Sequence, residues 1–224
     1  MPTVLMTFAH NSFFMELSFK NLSGICLFFG SLLATLTMLI HPVGGSLGDI
    51  AHMKSAFNFS HGMAIFCLPF IAFGFWGLSD VLSSKNKLSF LAFSISCFGL
   101  VAAMIAATIN GLVLPAFASN YSNYAIGFEI IQPIRVYGNY INLSLDYIFI
   151  GSVLIAIMIW SLLIICNKKM PIWIGYYGLL IFSVIGFAIL RNFNFTSLIG
   201  FAAFTFGIVS WKLIIGFYLV FYKD

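Results

Sequence analysis

Between Asn21 and Tyr222, polar connections divide the sequence into six apolar stretches, at about 21–40, 61–82, 88–114, 140–166, 172–190 and 197–222. Each is close to the ~20 residues that a helix needs to cross a hydrocarbon core of roughly 30 Å. A spanning β-barrel also satisfies its backbone polar groups in lipid, but barrel strands alternate apolar and polar residues. Val153–Ile165 does not alternate, since Ser161 is its one polar residue. The pattern therefore predicts an all-α fold, an integral membrane bundle of six transmembrane helices forming one domain over residues 1–224. Charged residues make up 7% of the chain, against about a quarter in soluble domains, which excludes a separate water-soluble domain.

The breaks have chemical causes. His41-Pro42 followed by Gly44-Gly45 stops the first stretch, because proline cannot continue a helix and glycine favours turns. Ser83–Lys87 and Asn167–Pro171 are short, polar and basic, and Arg191–Asn194 parts the last two stretches. Lys20, Lys85, Lys87, Lys168, Lys169 and Lys223 fall on one side of such a bundle, and Lys54, Arg135 and Arg191 on the other. This asymmetry predicts that both termini are cytoplasmic, because lysine and arginine accumulate in cytoplasmic loops. Trp76, Trp160, Trp173 and Trp211 then lie in the cytoplasmic half and are expected to mark that headgroup interface, with Tyr121, Tyr124 and Tyr137 at the opposite one. Met1–Lys20 lacks a basic start and a small-residue cleavage site, so it reads as an interfacial segment rather than a signal peptide.

Charge and cysteine content remove other classes. The net charge of +4 is scattered, with no basic block for nucleic acid. Cys26, Cys67, Cys97 and Cys166 fall on separate stretches without C-x-x-C spacing, so free thiols are expected rather than a disulfide framework. Small residues suggest where helices touch. Gly99, Ala103, Ala107 and Gly111 recur every fourth residue, and Gly200, Ala203, Gly207 and Ser210 form a second stripe. Such stripes let backbones approach closely in lipid. They serve packing within the bundle, or a homodimer or membrane-protein partner. The division into three spans plus three would suit an inverted repeat, but no residue-level match aligns the halves.

Ionisable groups at membrane depth are costly, roughly 2.5–3.5 kcal/mol at a helix centre, and are functional candidates by default. Most here gather at one level. His41 closes the first stretch, His61 opens the second, and His52 lies between them. Asn110 stands near the end of the third stretch, and Asn139, Asn142 and Asp146 share one face of the fourth. Asp146 lies roughly 6 Å inside the boundary at about 1.5 Å per residue. Arg191 ends the fifth stretch, while Glu129 and Arg135 occupy the long connection Pro115–Asn139. Three chemistries would use this set. His41, His61 and Asp146, with His52 in reserve, can ligate zinc, iron or copper. Two facing histidines can hold a haem. An Asp–His or Asp–Arg group can gate a proton or a solute. Against these stand plainer roles: helix caps for His41 and His61, a solvated loop position for His52, and an Asp146–Arg191 ion pair. Elsewhere, Lys212 beside Trp211 is expected to snorkel to the interface, or to pair with Asp80. Pro69 bends the second helix.

The sequence has no G-x-x-x-x-G-K-[ST], H-E-x-x-H, G-x-S-x-G or C-x-x-C-H, and it names no cofactor. Pro171-Ile172-Trp173-Ile174-Gly175-Tyr176-Tyr177-Gly178, with the glycine-spaced last stretch and Trp211, resembles the small six-helix bacterial membrane proteins classed as domains of unknown function. The resemblance implies the fold and a bacterial cytoplasmic membrane, and transfers no activity. The leading expectation is a non-enzymatic, transporter-like or ligand-binding bundle whose polar pocket opens to the outer face and is lined by Asp146, His41, His61, Asn142, Asn110 and Arg191. The alternatives are a metal or haem protein on the same histidines and an accessory subunit of a membrane complex.

Overall fold

Proline and left-handed backbone stop three of the helices, at His41-Pro42, at Lys168 and at Asn192. The computed structural model describes residues 18–83, 87–121 and 128–221, the side chains of 128–130 excepted. Residues 1–17 of the expected interfacial segment, together with Lys85, Tyr124, the Glu129 side chain, Tyr222 and Lys223, lie outside the described residues. Helix α1 spans Phe19–Leu39. The Ser18 hydroxyl accepts the Asn21 N–H at 3.2 Å, and the helix ends just before His41-Pro42, where proline disfavours helical backbone in the residue preceding it. A short α2, Leu47–His52, starts at a reciprocal cap: the Ser46 hydroxyl accepts the Asp49 N–H, and the Asp49 carboxylate accepts the Ser46 N–H. Helix α3 runs from Lys54 to Leu82. Helix α4, Leu88–Thr108, passes through a π-helical turn at Ile109–Val113 into α5, Leu114–Tyr121. Helix α6 spans Phe128–Asn167, α7 Ile172–Leu190 and α8 Leu198–Phe221. Lys168 and Asn192, at φ 54° and 58°, take the left-handed backbone that terminates α6 and α7.

All six expected spans are helices long and apolar enough to cross a membrane, and the described residues contain no strand. The boundaries differ at two places. Helix α3 begins seven residues before His61, and much of the connection Pro115–Asn139 is helical, as α5 and the first three turns of α6. Polar residues end an apolar pattern without necessarily ending a helix, whereas left-handed backbone stops one outright. At about 1.5 Å per residue, α6 is roughly 60 Å long, so its first turns stand beyond any hydrocarbon core.

The helices form a ring in the order α1, α3, α4, α6, α7, α8, which closes because α1 packs on both α3 and α8. Closure depends on small residues. Gly74 and Gly77 of α3 lie against Leu27 and Ser23 of α1, and Gly24 of α1 lies against Gly216 of α8, with no room for a Cβ at any of these positions. Phe28, Phe29, Leu32 and Leu36 of α1, and Leu180, Val184 and Phe187 of α7, face outward as lipid-facing residues must.

Large aromatics fill one end of the ring. Trp160 of α6 stacks on Trp211 of α8 with centroids 6.3 Å apart, and Phe75 of α3 packs on Trp160 at 4.7 Å. Trp160 donates to the Ser79 hydroxyl (3.0 Å) and Trp211 to the Ile174 carbonyl (3.2 Å). Of the four expected interface tryptophans, Trp76 and Trp173 are exposed, whereas Trp160 and Trp211 are wholly buried. Internal partners for both indole N–H groups make that burial tolerable.

Candidate functional site

Above the tryptophan stack the ring is hollow. A cavity of about 270 Å³ occupies its centre, just under the roughly 300–1,000 Å³ range of small-molecule sites. Ala34, Ala64, Ala103, Ala106 and Ala107 line it, along with Phe149, Phe201, Phe204 and Ile208. Among the α8 residues that line it, Leu198, Phe201, Thr205, Ile208 and Lys212 follow alternating steps of three and four, the spacing of one helix face, and Phe204 lies beside them. From Leu198 to Lys212 that face is roughly 21 Å long.

One end of the cavity is polar. His41, His61, Asn110, Asn142, Asp146 and Thr196 line it, so five of the six pocket candidates from the sequence meet there. The sixth, Arg191, ends α7 exposed and is not among the lining residues. Asp146 accepts instead from the Asn142 side-chain amide at 2.9 Å. Asn142, Asp146 and Thr196 also line an adjoining polar pocket with Asn139, Asn194 and Ser197, which makes them the threshold between the two spaces. Asn194 organises that threshold. Its side-chain oxygen accepts the N–H of Thr196 and Ser197 and the Thr196 hydroxyl, and the Ser197 hydroxyl accepts the Gly200 N–H. The positive N-terminal end of α8 is thereby fixed beside the pocket that Asp146 lines. The Asn142 side-chain oxygen is buried with no partner among the described residues, leaving an acceptor for a ligand or water.

The histidines meet because α4 makes room for them. Pro115 has no N–H to give the Gly111 carbonyl four residues back, and the Leu114 N–H reaches Ile109 five residues back. The resulting π turn carries Asn110 to the cavity, and Gly111 receives the His61 ring where any Cβ would collide with it. The His41 and His61 rings lie 4.8 Å apart. His41 Nδ1 lies 2.9 Å from the Pro42 carbonyl, and His61 Nδ1 lies 3.0 Å from the Phe57 carbonyl. A carbonyl only accepts, so Nδ1 of each ring carries the proton and Nε2 of each neutral ring is a bare acceptor. Burial holds the His41 imidazole below its usual value of 6.5, partly offset by the bond to Pro42. His52 lies on α2, exposed. Among the described residues no cluster of three or more His, Cys, Asp or Glu has a metal-holding arrangement, and two imidazoles alone fall short of the three protein ligands of a catalytic zinc.

The stripe Gly99, Ala103, Ala107, Gly111 divides its work. Gly99 packs on Ser152 of α6 and Gly111 on His61, while Ala103 and Ala107 line the cavity.

Sequence reasoning named Lys212 but gave it no place in the cavity. Lys212 neither snorkels nor meets Asp80: it is 7% exposed, Asp80 is exposed, and Lys212 lines the cavity above the tryptophan stack. Among the described residues its ammonium has no hydrogen-bond or carboxylate partner. The Cys67 thiol beside it donates to Ala64. The alternating three-four spacing with Leu198, Phe201, Thr205 and Ile208 was the available signal, since it places Lys212 on the face that looks into the ring.

Fold and cavity define a polytopic membrane protein, a closed ring of six helices around a central space. Comparison with protein-family models, curated proteins and solved structures gives no match in any of the three.

Proposed function

We propose that the chain is a small-molecule-binding, transporter-like membrane protein whose central cavity is reached from the outer face past Asn142, Asp146 and Thr196. One observation carries the reading: these three residues line both the polar pocket and the apolar cavity, so the two spaces meet at their side chains, and movement of those side chains would join them. Mostly apolar lining with a few convergent polar groups is the common composition of ligand sites. The excess of lysine near the opposite end supports an outward mouth with both termini in the cytoplasm. His41 and His61 supply acceptors at the mouth, and Asp146 supplies the carboxylate a polar solute or proton would meet first.

Cysteine accessibility tests this. The four native cysteines are replaced by alanine, and Asn142→Cys or Thr205→Cys is exposed to a small charged methanethiosulfonate added outside intact cells. Both are expected to react, and Ala107→Phe to block Thr205→Cys while sparing Asn142→Cys. A Thr205→Cys that stays unreactive where Asn142→Cys reacts would overturn the reading.

A further inference from the structure

We propose that Lys212 anchors the carboxylate of an apolar organic acid bound lengthwise in the cavity, its hydrocarbon body against the alanine and phenylalanine walls. The inference rests on the ligand-binding reading above and gives it a substrate class. Lys212 is buried, lines the cavity, and finds no acceptor among the described residues. A cation so placed lacks the anion that would complete it, since buried charges are ordinarily paired. The space beside it selects the kind of anion. Walls formed by Leu68, Ile71, Leu100, Phe204 and Ile208 have nothing to offer an inorganic ion beyond the one ammonium, and they would stay uncovered around it. A carboxylate with a hydrocarbon body satisfies both at once.

The floor fixes the direction. Trp211 adjoins Lys212 on α8 and stacks on Trp160, and both indoles are wholly buried, so the anion lies at the end away from the polar mouth and the hydrocarbon body runs from it along the apolar walls. An acid that enters protonated crosses the apolar walls uncharged and gives its proton to the Lys212 amine. An acid that enters ionised meets the ammonium already formed. Either course leaves one ammonium–carboxylate pair, with the proton on nitrogen.

Binding of labelled decanoate, decanol and acetate to the purified full-length chain in detergent tests the assignment. Decanoate is expected to bind saturably at one per chain, and both decanol and acetate roughly tenfold or more weaker. Lys212→Met is expected to lower decanoate affinity by about the same factor while leaving decanol unchanged, and Lys212→Arg to retain part of it. Equal binding of decanoate and decanol, or undiminished decanoate binding to Lys212→Met, overturns the anchoring role while leaving the cavity reading intact. Failure of every probe overturns the acid proposal. Joined to an unreactive Thr205→Cys, it overturns the cavity reading as well.

Discussion

Replacing Lys212 by methionine separates two accounts of this residue by the sign of a stability change. Methionine keeps the unbranched stem and much of the volume, and it removes the charge and three donors. If Lys212 were one half of a structural ion pair, its loss would strand a buried carboxylate and cost about 3–5 kcal/mol. The structure gives it no such partner among the described residues. A lysine at the centre of a membrane helix costs roughly 2.5–3.5 kcal/mol on insertion scales, and the polar lining of the cavity relieves a share of that. The expected outcome is therefore a gain of about 2 kcal/mol in the ligand-free protein. For a chain of this size 1 kcal/mol moves the midpoint by roughly 2–4 °C, so the thermal midpoint should rise by about 4–8 °C. Unfolding followed by circular dichroism in dodecylmaltoside, wild type against Lys212→Met, provides the measurement. A variant that melts lower than wild type refutes the unpaired-cation account and with it the reason to expect an anionic ligand.

Two further outcomes test the polar end. Gly111→Ala sets a methyl where the His61 ring now lies, so overpacking of about 1–3 kcal/mol is expected, read as a lower midpoint with Gly207→Ala, which faces open space, as the unaffected control. His41 titrates below its usual 6.5 because it is buried, so the unfolded chain takes up its proton first. The stability linked to His41 is accordingly whole above pH 6.5 and declines as pH falls below it. Wild type should lose more midpoint than His41→Phe between pH 7.5 and 5, and equal losses would refute the linkage.

The six helices were legible because lipid imposes one length and one pattern on them. The polar level was legible too, since His41, His61, Asn110, Asn142 and Asp146 each lie near one of four span boundaries on the same side of the bundle, and those boundaries share one level. Arg191 met the same criterion and still points away, because distance from a boundary gives depth and not direction around the helix. Trp160, Trp211 and Lys212 misled for a related reason. Near a lipid interface an amphipathic side chain has two comfortable positions, outward to the headgroups or inward to a partner, and composition is silent between them. For the tryptophans the partners are Ser79 and the Ile174 carbonyl, which lie 81 and 37 residues away along the chain. No local pattern records such distances.

The cavity follows from a gradient of side-chain size along the ring axis. At one end Trp160 and Trp211 bridge α6 and α8 and hold them apart. Further along, Ala34, Ala64, Ala103, Ala106 and Ala107 are among the residues that line the space from α1, α3 and α4, and at those positions the side chains are too small to span the width that the tryptophans set. A leftover void of this kind would be dry and apolar throughout. This one instead keeps a lysine at its floor and a carboxylate, two imidazoles and two amides at its mouth, each of which would be better solvated outside the ring. An arrangement that costs stability at both ends of the same space is what the proposed binding function would explain, the lysine meeting an acid's carboxylate and the polar mouth admitting it from water.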